Sequence, residues 1–144
     1  MNAAPLSVLV ADINEVLRRE VRRELERAGF EVIEAADSDE AIDLALETRP
    51  ALCLLDVEEP RRSGLAAAAV IACVLDRTSV VLMSADLSAR DVLDAMRAGA
   101  AGCVDKAMDS RLLPGILSAV AAGESAYPQR ELRQALGFLT PQVA

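Results

Sequence analysis

The chain has 144 residues, a length that suits one domain burying about 68–70% of its unfolded surface. Its hydrophobic fraction is 53% but its aromatic fraction only 2%, so Val, Leu, Ile and Ala must fill the core. A net charge of −8 excludes a surface built to hold nucleic-acid phosphates, and the lack of any histidine excludes a Ser/His triad, a His-ligated metal and a phosphohistidine relay within this chain.

Residues 1 to 12 carry neither a basic leader nor a small-residue cleavage site, and no apolar run approaches membrane-spanning length, so a cytoplasmic protein is expected. The short apolar run Leu6 to Ala11 predicts a buried strand. Leu17, Val21, Leu25 and Ala28 then form a helical stripe that Gly29 ends. A second strand, Glu31 to Ala35, carries Glu31 and Glu34 and suits a sheet edge. Ser38 is expected to cap the second helix, with Pro50 after its end. Ala51 to Leu55 reads as a third strand, Leu65 to Leu75 as a third helix and Ser79 to Met83 as a fourth strand. Helix four starts at Ser88 with Asp91 three residues on, a variant of the capping box. A fifth strand runs into Val104, Asp105 and Lys106, and Asp109 or Ser110 opens helix five. After Gly123 the pattern loosens through Ala126, Tyr127 and Pro128, and Gln129 to Phe138 reads as a short helix. Residues 1–123 are thus expected to form the domain and 124–144 a linker rather than core. The cysteines Cys53, Cys73 and Cys103 lie in apolar stretches without paired or metal-ligand spacing and read as buried reduced thiols.

Five strands alternating with five helices predict an α/β fold, a doubly wound parallel sheet with helices on both faces. The acidic second strand at an edge and the apolar first strand near the centre favour the flavodoxin-like order 2-1-3-4-5. In such a sheet ligands bind at the rim where the strands end, beside the point at which the strand order reverses. Strand one is followed there by Asp12, strand three by Asp56, strand four by Ser84 and strand five by Lys106. Adjacent strands one and three would set Asp12 and Asp56 side by side, and like charges that close require a cation between them. Lys106 is the only lysine among 15 basic residues. Lysine binds phosphoryl oxygens as a point charge, and Mg2+ bridges carboxylates to phosphoryl groups, so these parts suit phosphoryl transfer to a carboxylate.

With Asp12, the Leu-Leu-Asp ending in Asp56, Pro60 and Gly64 in the next loop, Ser84-Ala85 and Lys106 in order, the chain resembles the response-regulator receiver domain over nearly its whole length. Ala98-Gly99-Ala100 and Ala121-Ala122-Gly123-Glu124 are similar to the LuxR/NarL-type subgroup. The resemblance implies that a partner histidine kinase phosphorylates Asp56, with Lys106 as counter-ion and the Ser84 hydroxyl following the phosphoryl group. It implies Mg2+ held by Asp12, Asp56 and the Glu58 carbonyl. The chain would then be a phosphoryl-accepting switch rather than an enzyme. Where the family has a second acid after strand one this chain has Ile13, which cannot give an oxygen to a metal and so weakens the Mg2+ site. Lys106 is followed by Ala107 where the family often has proline, Cys103 replaces the family's aromatic on strand five, and Glu59 stands where an apolar residue precedes the loop proline.

Asp12 alone reads as a helix cap, and Ser84 alone as a turn residue. Arg18, Arg19, Arg22 and Arg23 face Glu15, Glu20, Glu24 and Glu26 at helical spacing and read as a solvated face, with kinase docking as the functional alternative. Leu112, Leu113, Ile116, Leu117 and Val120 span more than one helical face, so core packing and a homodimer surface both stand. Ile13 favours a rival reading, a pseudo-receiver acting as a phosphorylation-independent dimerisation or protein-interaction module. A flavin or nucleotide enzyme fails because no Gly-rich phosphate loop follows strand one. Leu139-Thr140-Pro141 resembles the opening of a LuxR-type helix-turn-helix, so a DNA-binding half is expected beyond this chain, which alone should not bind DNA.

Overall fold

The computed structural model describes residues 4–57 and 63–139. Strands β1 (Ser7–Ala11), β2 (Glu31–Ala35), β3 (Leu52–Asp56), β4 (Ser79–Ser84) and β5 (Gly102–Asp105) form one parallel sheet in the order β2-β1-β3-β4-β5. The predicted doubly wound order is therefore observed, with acidic β2 at one edge and β3, buried along its whole length, in the centre. Among the described residues the helices are α1 (Glu15–Arg27), α2 (Ser38–Thr48), α3 (Ser63–Val74), α4 (Ala89–Arg97), α5 (Leu113–Ala121) and α6 (Gln129–Leu139). None is long and apolar enough to cross a membrane.

Side chains on a strand alternate between faces, and here both faces are apolar. Leu9, Ala11, Cys53, Leu55, Val80, Leu82 and Cys103 form one core with the alanine-rich sides of α2 and α3. Val8, Val10, Leu52, Leu54, Val81, Met83 and Val104 form the other with Val21 and Leu25 of α1 and Leu113, Leu117 and Val120 of α5. Leu113, Leu117 and Val120 are thus core, and of the apolar residues on the fifth helix and its lead-in Leu112 stands out at 58% exposure. The dimer surface anticipated on Leu113 and Leu117 is overturned: α1 and the sheet already cover these side chains.

Several element ends differ from expectation for local reasons. Asp37, not Ser38, caps α2, its side chain accepting from the Glu40 amide, while Arg49 ends the helix in the left-handed region at φ 49°. Asn14, not Asp12, caps α1, because its side chain reaches the Leu17 amide. Ser88 caps α4 with the complete capping box formed by Asp91. Asp109 caps a single 3-10 turn, Ser110–Leu112, that leads into α5. Cys73, expected to be buried, is exposed on α3, whereas Cys53 and Cys103 are buried.

The stretch after Gly123 is more ordered than a linker. The Ala126 amide donates to the Ala101 carbonyl and the Cys103 amide to the Ala126 carbonyl, both at 2.9 Å, so Ala126 extends the β5 edge of the sheet by one bridge. A Cβ on Gly102 would lie 2.5 Å from the Ala126 carbonyl oxygen, so only glycine permits this approach. The Tyr127 hydroxyl donates to the Ala100 carbonyl, and α6 buries Ala135 against Val92 and Leu93 of α4. The apolar patch that α4 leaves beside the sheet supplies the reason for this docking.

Candidate functional site

The register of the sheet brings the predicted rim residues to one level. Ala11 pairs with Leu55, Asp56 with Met83 and Ser84 with Asp105, so Asp12, Asp56, Ser84 and Lys106 lie at the ends of adjacent strands. Backbone bonds continue past the strands: the Val57 amide donates to the Met83 carbonyl at 2.9 Å and the Lys106 amide to the Ser84 carbonyl at 2.8 Å. A Cβ on Gly64 would sit 2.0 Å from the Asp56 carbonyl oxygen, so glycine alone lets the first turn of α3 pass so close to the end of β3.

Asp12 and Asp56 are almost fully buried, at 0% and 3% exposure. The Lys106 ammonium serves both, donating to Asp56 Oδ2 at 3.0 Å and lying 2.9 Å from Asp12 Oδ2. Burial pulls the lysine pKa down, but its contacts with Asp12 and Asp56 outweigh this and hold it above the usual lysine value. The Asp12 contact is an ion pair without hydrogen-bond alignment, so this buried Oδ2 has no hydrogen-bond donor among the described residues. Oδ1 of Asp12 accepts from the Asn14 amide at 2.9 Å. Asp12 therefore braces the β1–α1 turn while aiming its second oxygen into the pocket.

Ser84 is buried, and its hydroxyl donates to Asp91 Oδ2 at 2.9 Å. Of the residues expected to act together, Asp12, Asp56 and Lys106 converge, while the Ser84 hydroxyl is engaged on the α4 side. Ile13 lies beside Asp12 with 56% exposure and presents no oxygen. Glu58, the expected carbonyl ligand, and Pro60 lie outside the described residues.

Arg18 was read from sequence as part of a solvated face, and the structure corrects that. It is largely buried, donates through Nη1 to the Asp12 carbonyl at 2.7 Å and through Nε to Glu34 at 2.8 Å, and so clamps the backbone that carries Asp12. Arg22 reaches the same Glu34, and this contact first, then Arg18, overcomes burial to hold the Glu34 carboxyl below its usual range. Arg18 sits one turn into the helix after Asp12, and an acid lies one residue before the end of the neighbouring edge strand. That spacing was the available signal. Of the other arginines of that face, Arg19 pairs at helical spacing with Glu15 at 2.7 Å and Arg22 with Glu26, and further along the helix Arg27 pairs with Glu24 at 3.1 Å.

A buried anionic oxygen without a hydrogen-bond donor suits a hard cation, and Mg2+ accepts one or two protein carboxylates while keeping waters. Asp12 and Asp56 meet that minimum. Among the described residues no group of three or more His, Cys, Asp or Glu side chains is arranged to hold a metal. The described residues thus fit a Mg2+ held by one or two carboxylates rather than an all-protein cage.

Comparison with known proteins agrees with this architecture. Residues 8–118 match the response regulator receiver domain family. The chain is 36% identical over 121 residues to the transcriptional regulatory protein PdtaR of Mycobacterium tuberculosis, covering 82% of this chain and 58% of that protein. It is 31% identical over 129 residues to the uncharacterized transcriptional regulatory protein YxjL of Bacillus subtilis, covering 88% and 59%. The chain therefore spans about three-fifths of the length of the curated relatives it matches. Among solved structures, a LuxR-family two-component response regulator from Aurantimonas sp. superposes with a TM-score of 0.83 at 27% identity, covering 94% of this chain and 98% of that one. The signal receiver domain of the putative response regulator NarL from M. tuberculosis gives 0.78 at 29% identity, covering 85% and 100%. On the family match, the sheet order and these neighbours, the chain belongs to the response regulator receiver family, a family of signalling switches in two-component systems.

Proposed function

We propose that Asp56 accepts a phosphoryl group from a partner histidine kinase in the cytoplasm and that this charge switches the output surface. The observation that carries the reading is the single ammonium of Lys106 held between two buried carboxylates at the strand-order reversal. In the transfer, an Asp56 oxygen forms a bond to phosphorus while the kinase's phosphorus–nitrogen bond breaks and the imidazole leaves with the electron pair. Lys106 neutralises phosphoryl oxygens, Ser84 donates its hydroxyl to one of them, and Asp12, Asp56 and the Glu58 carbonyl hold Mg2+. A bound Mg2+ would supply positive charge that offsets the carboxylates and the phosphoryl group. Beyond this chain we place a helix-turn-helix half that binds DNA, consistent with the transcriptional regulators it matches over part of their length. Receiver domains often dimerise, and sedimentation across concentrations tests that here.

The test is acetyl-phosphate labelling of the wild type, Ile13→Asp and Asp56→Asn, read as a mass shift. Labelling of the wild type that Asp56→Asn abolishes supports the reading. Equal labelling of the two discards Asp56 as acceptor. The exposed Ile13 favours a second reading, a pseudo-receiver that works as an interaction module without phosphate. Absence of label on the wild type, restored by Ile13→Asp, selects it.

A further inference from the structure

Asp91 is a buried carboxylate that the proposed transfer does not use. Its Oδ2 accepts two bonds, from the Ser84 hydroxyl at 2.9 Å and from the Ser88 amide at 3.1 Å, while its own amide donates to Ser88 Oγ at 3.2 Å. One carboxylate therefore closes the first turn of α4 and ties it to the last residue of β4. A hydroxyl has one proton to donate, and a carboxylate bonded to it leaves the hydroxyl as the donor. The proton that a phosphoryl oxygen on Asp56 would claim is the one directed at Asp91.

We propose that Asp91 is a positioning residue that holds the Ser84 hydroxyl on the α4 side, so that phosphoryl engagement at Asp56 requires the Ser84–Asp91 bond to open. The inference rests on the phosphoacceptor reading above. Phosphoryl and Asp91 compete for one donor, and the loser is a buried acceptor, so the competition sets the threshold of the switch. When Ser84 turns away, the capping carboxylate of α4 loses one of its donors. The event at Asp56 is thereby transmitted to the first turn of the helix on which α6 packs.

The experiment is titration with beryllofluoride and Mg2+, followed by amide shifts around Asp56 and at Ser84, in the wild type, Asp91→Ala, Asp91→Asn, Ser84→Ala and the double variant. The same set is repeated on the Ile13→Asp background. Loss of a hydrogen bond to a buried charge predicts that Asp91→Ala lowers the half-saturating concentration about tenfold. Asp91→Asn, which keeps an acceptor for the Ser88 amide and so preserves the cap, should lower it about threefold. In the Ser84→Ala background the same substitutions should change it less than about twofold, because the competition no longer exists. Ser88→Ala, which weakens the cap but leaves the Ser84–Asp91 bond, should leave it unchanged. An effect of Asp91→Ala that persists in the Ser84→Ala background, or that Ser88→Ala reproduces, reduces Asp91 to a helix cap. Unchanged binding across all Asp91 variants overturns the inference alone. No analogue-induced shift in any chain, Ile13→Asp included, overturns the phosphoacceptor reading and this inference with it.

Discussion

Replacing Lys106 with Met removes the charge between two buried carboxylates and leaves a side chain of similar length. Asp12 Oδ2 and Asp56 Oδ2 both touch the same nitrogen, so they lie within about 6 Å of each other. At an effective dielectric constant of about 20, two negative charges at that distance repel by about 3 kcal/mol. The attraction lost with the ammonium is larger in gross terms, but its desolvation cost disappears with it, and removing one partner of a buried pair typically costs 3–5 kcal/mol. Lys106 keeps 15% side-chain exposure, so water reaches the site and the lower end applies, about 3 kcal/mol at neutral pH. The loss should shrink when Mg2+ supplies the missing charge. Because the folded lysine pKa is raised, the ammonium's contribution in the wild type is whole below the ordinary value near 10.4 and fades as pH climbs through the folded value. Urea unfolding followed by circular dichroism, at neutral pH and at a pH above the ordinary lysine value, with and without Mg2+, measures all of this. A penalty that stays the same as pH climbs through the folded lysine value would refute the electrostatic account and assign Lys106 a packing role.

Leu117→Ala, at a fully buried position, should cost about 2–5 kcal/mol of unfolding free energy, whereas Leu112→Ala at 58% exposure should change it by less than about 0.5, both read by urea unfolding. Iodoacetamide applied to the native protein should modify Cys73 and spare Cys53, whose thiol burial pushes up to about 12, and buried Cys103; peptide mass mapping gives the answer. The Arg111 guanidinium and then its backbone amide hold the Asp109 carboxyl down at about 2, so a carbon-detected NMR titration should find it ionised well below the ordinary value near 3.9. That contribution to stability is present above the ordinary value and lost as pH falls through about 2, and Arg111→Ala should return the carboxyl toward its usual range.

The sheet order was legible because each strand announces itself differently: β3 is apolar up to its terminal Asp56, while β2 carries two glutamates that only an edge tolerates. The meeting of Asp12, Asp56 and Lys106 followed from that order, since parallel strands end at one rim. What sequence patterning missed are contacts that depend on which way a side chain turns. Arg18 shares its helical spacing with solvated neighbours, and the Asp12 carbonyl together with Glu34, one residue before the end of β2, turns it inward. Ser84 and Asp91 were each read singly, one as a site hydroxyl and one as a capping residue, because nothing in their spacing says that the end of β4 and the first turn of α4 share one oxygen. The tail was read as linker because its apolar residues are sparse. Ala135 and Leu132 pack on α4 all the same, since a helix with a narrow apolar stripe suffices to cover a small patch.

The exchange of an acid for Ile13 changes the charge balance of the pocket as well as its ligand count. Asp12, Asp56 and Lys106 carry a formal charge of −1 together, and a phosphoryl group on Asp56 would replace one negative charge by about two. The resting pocket is thus nearly balanced by its lysine, whereas the phosphorylated one exceeds what a single ammonium neutralises. On the proposed reading, Mg2+ is held weakly at rest and more tightly once phosphoryl oxygens supply the ligands that position 13 lacks. With a third acid the resting pocket would carry an unbalanced charge of −2 and would hold a divalent cation before any phosphoryl donor arrived. On that reading Ile13 would shift metal binding from a precondition of phosphorylation toward a partner in it, and the Ile13→Asp comparison in the labelling and titration experiments bears directly on that shift.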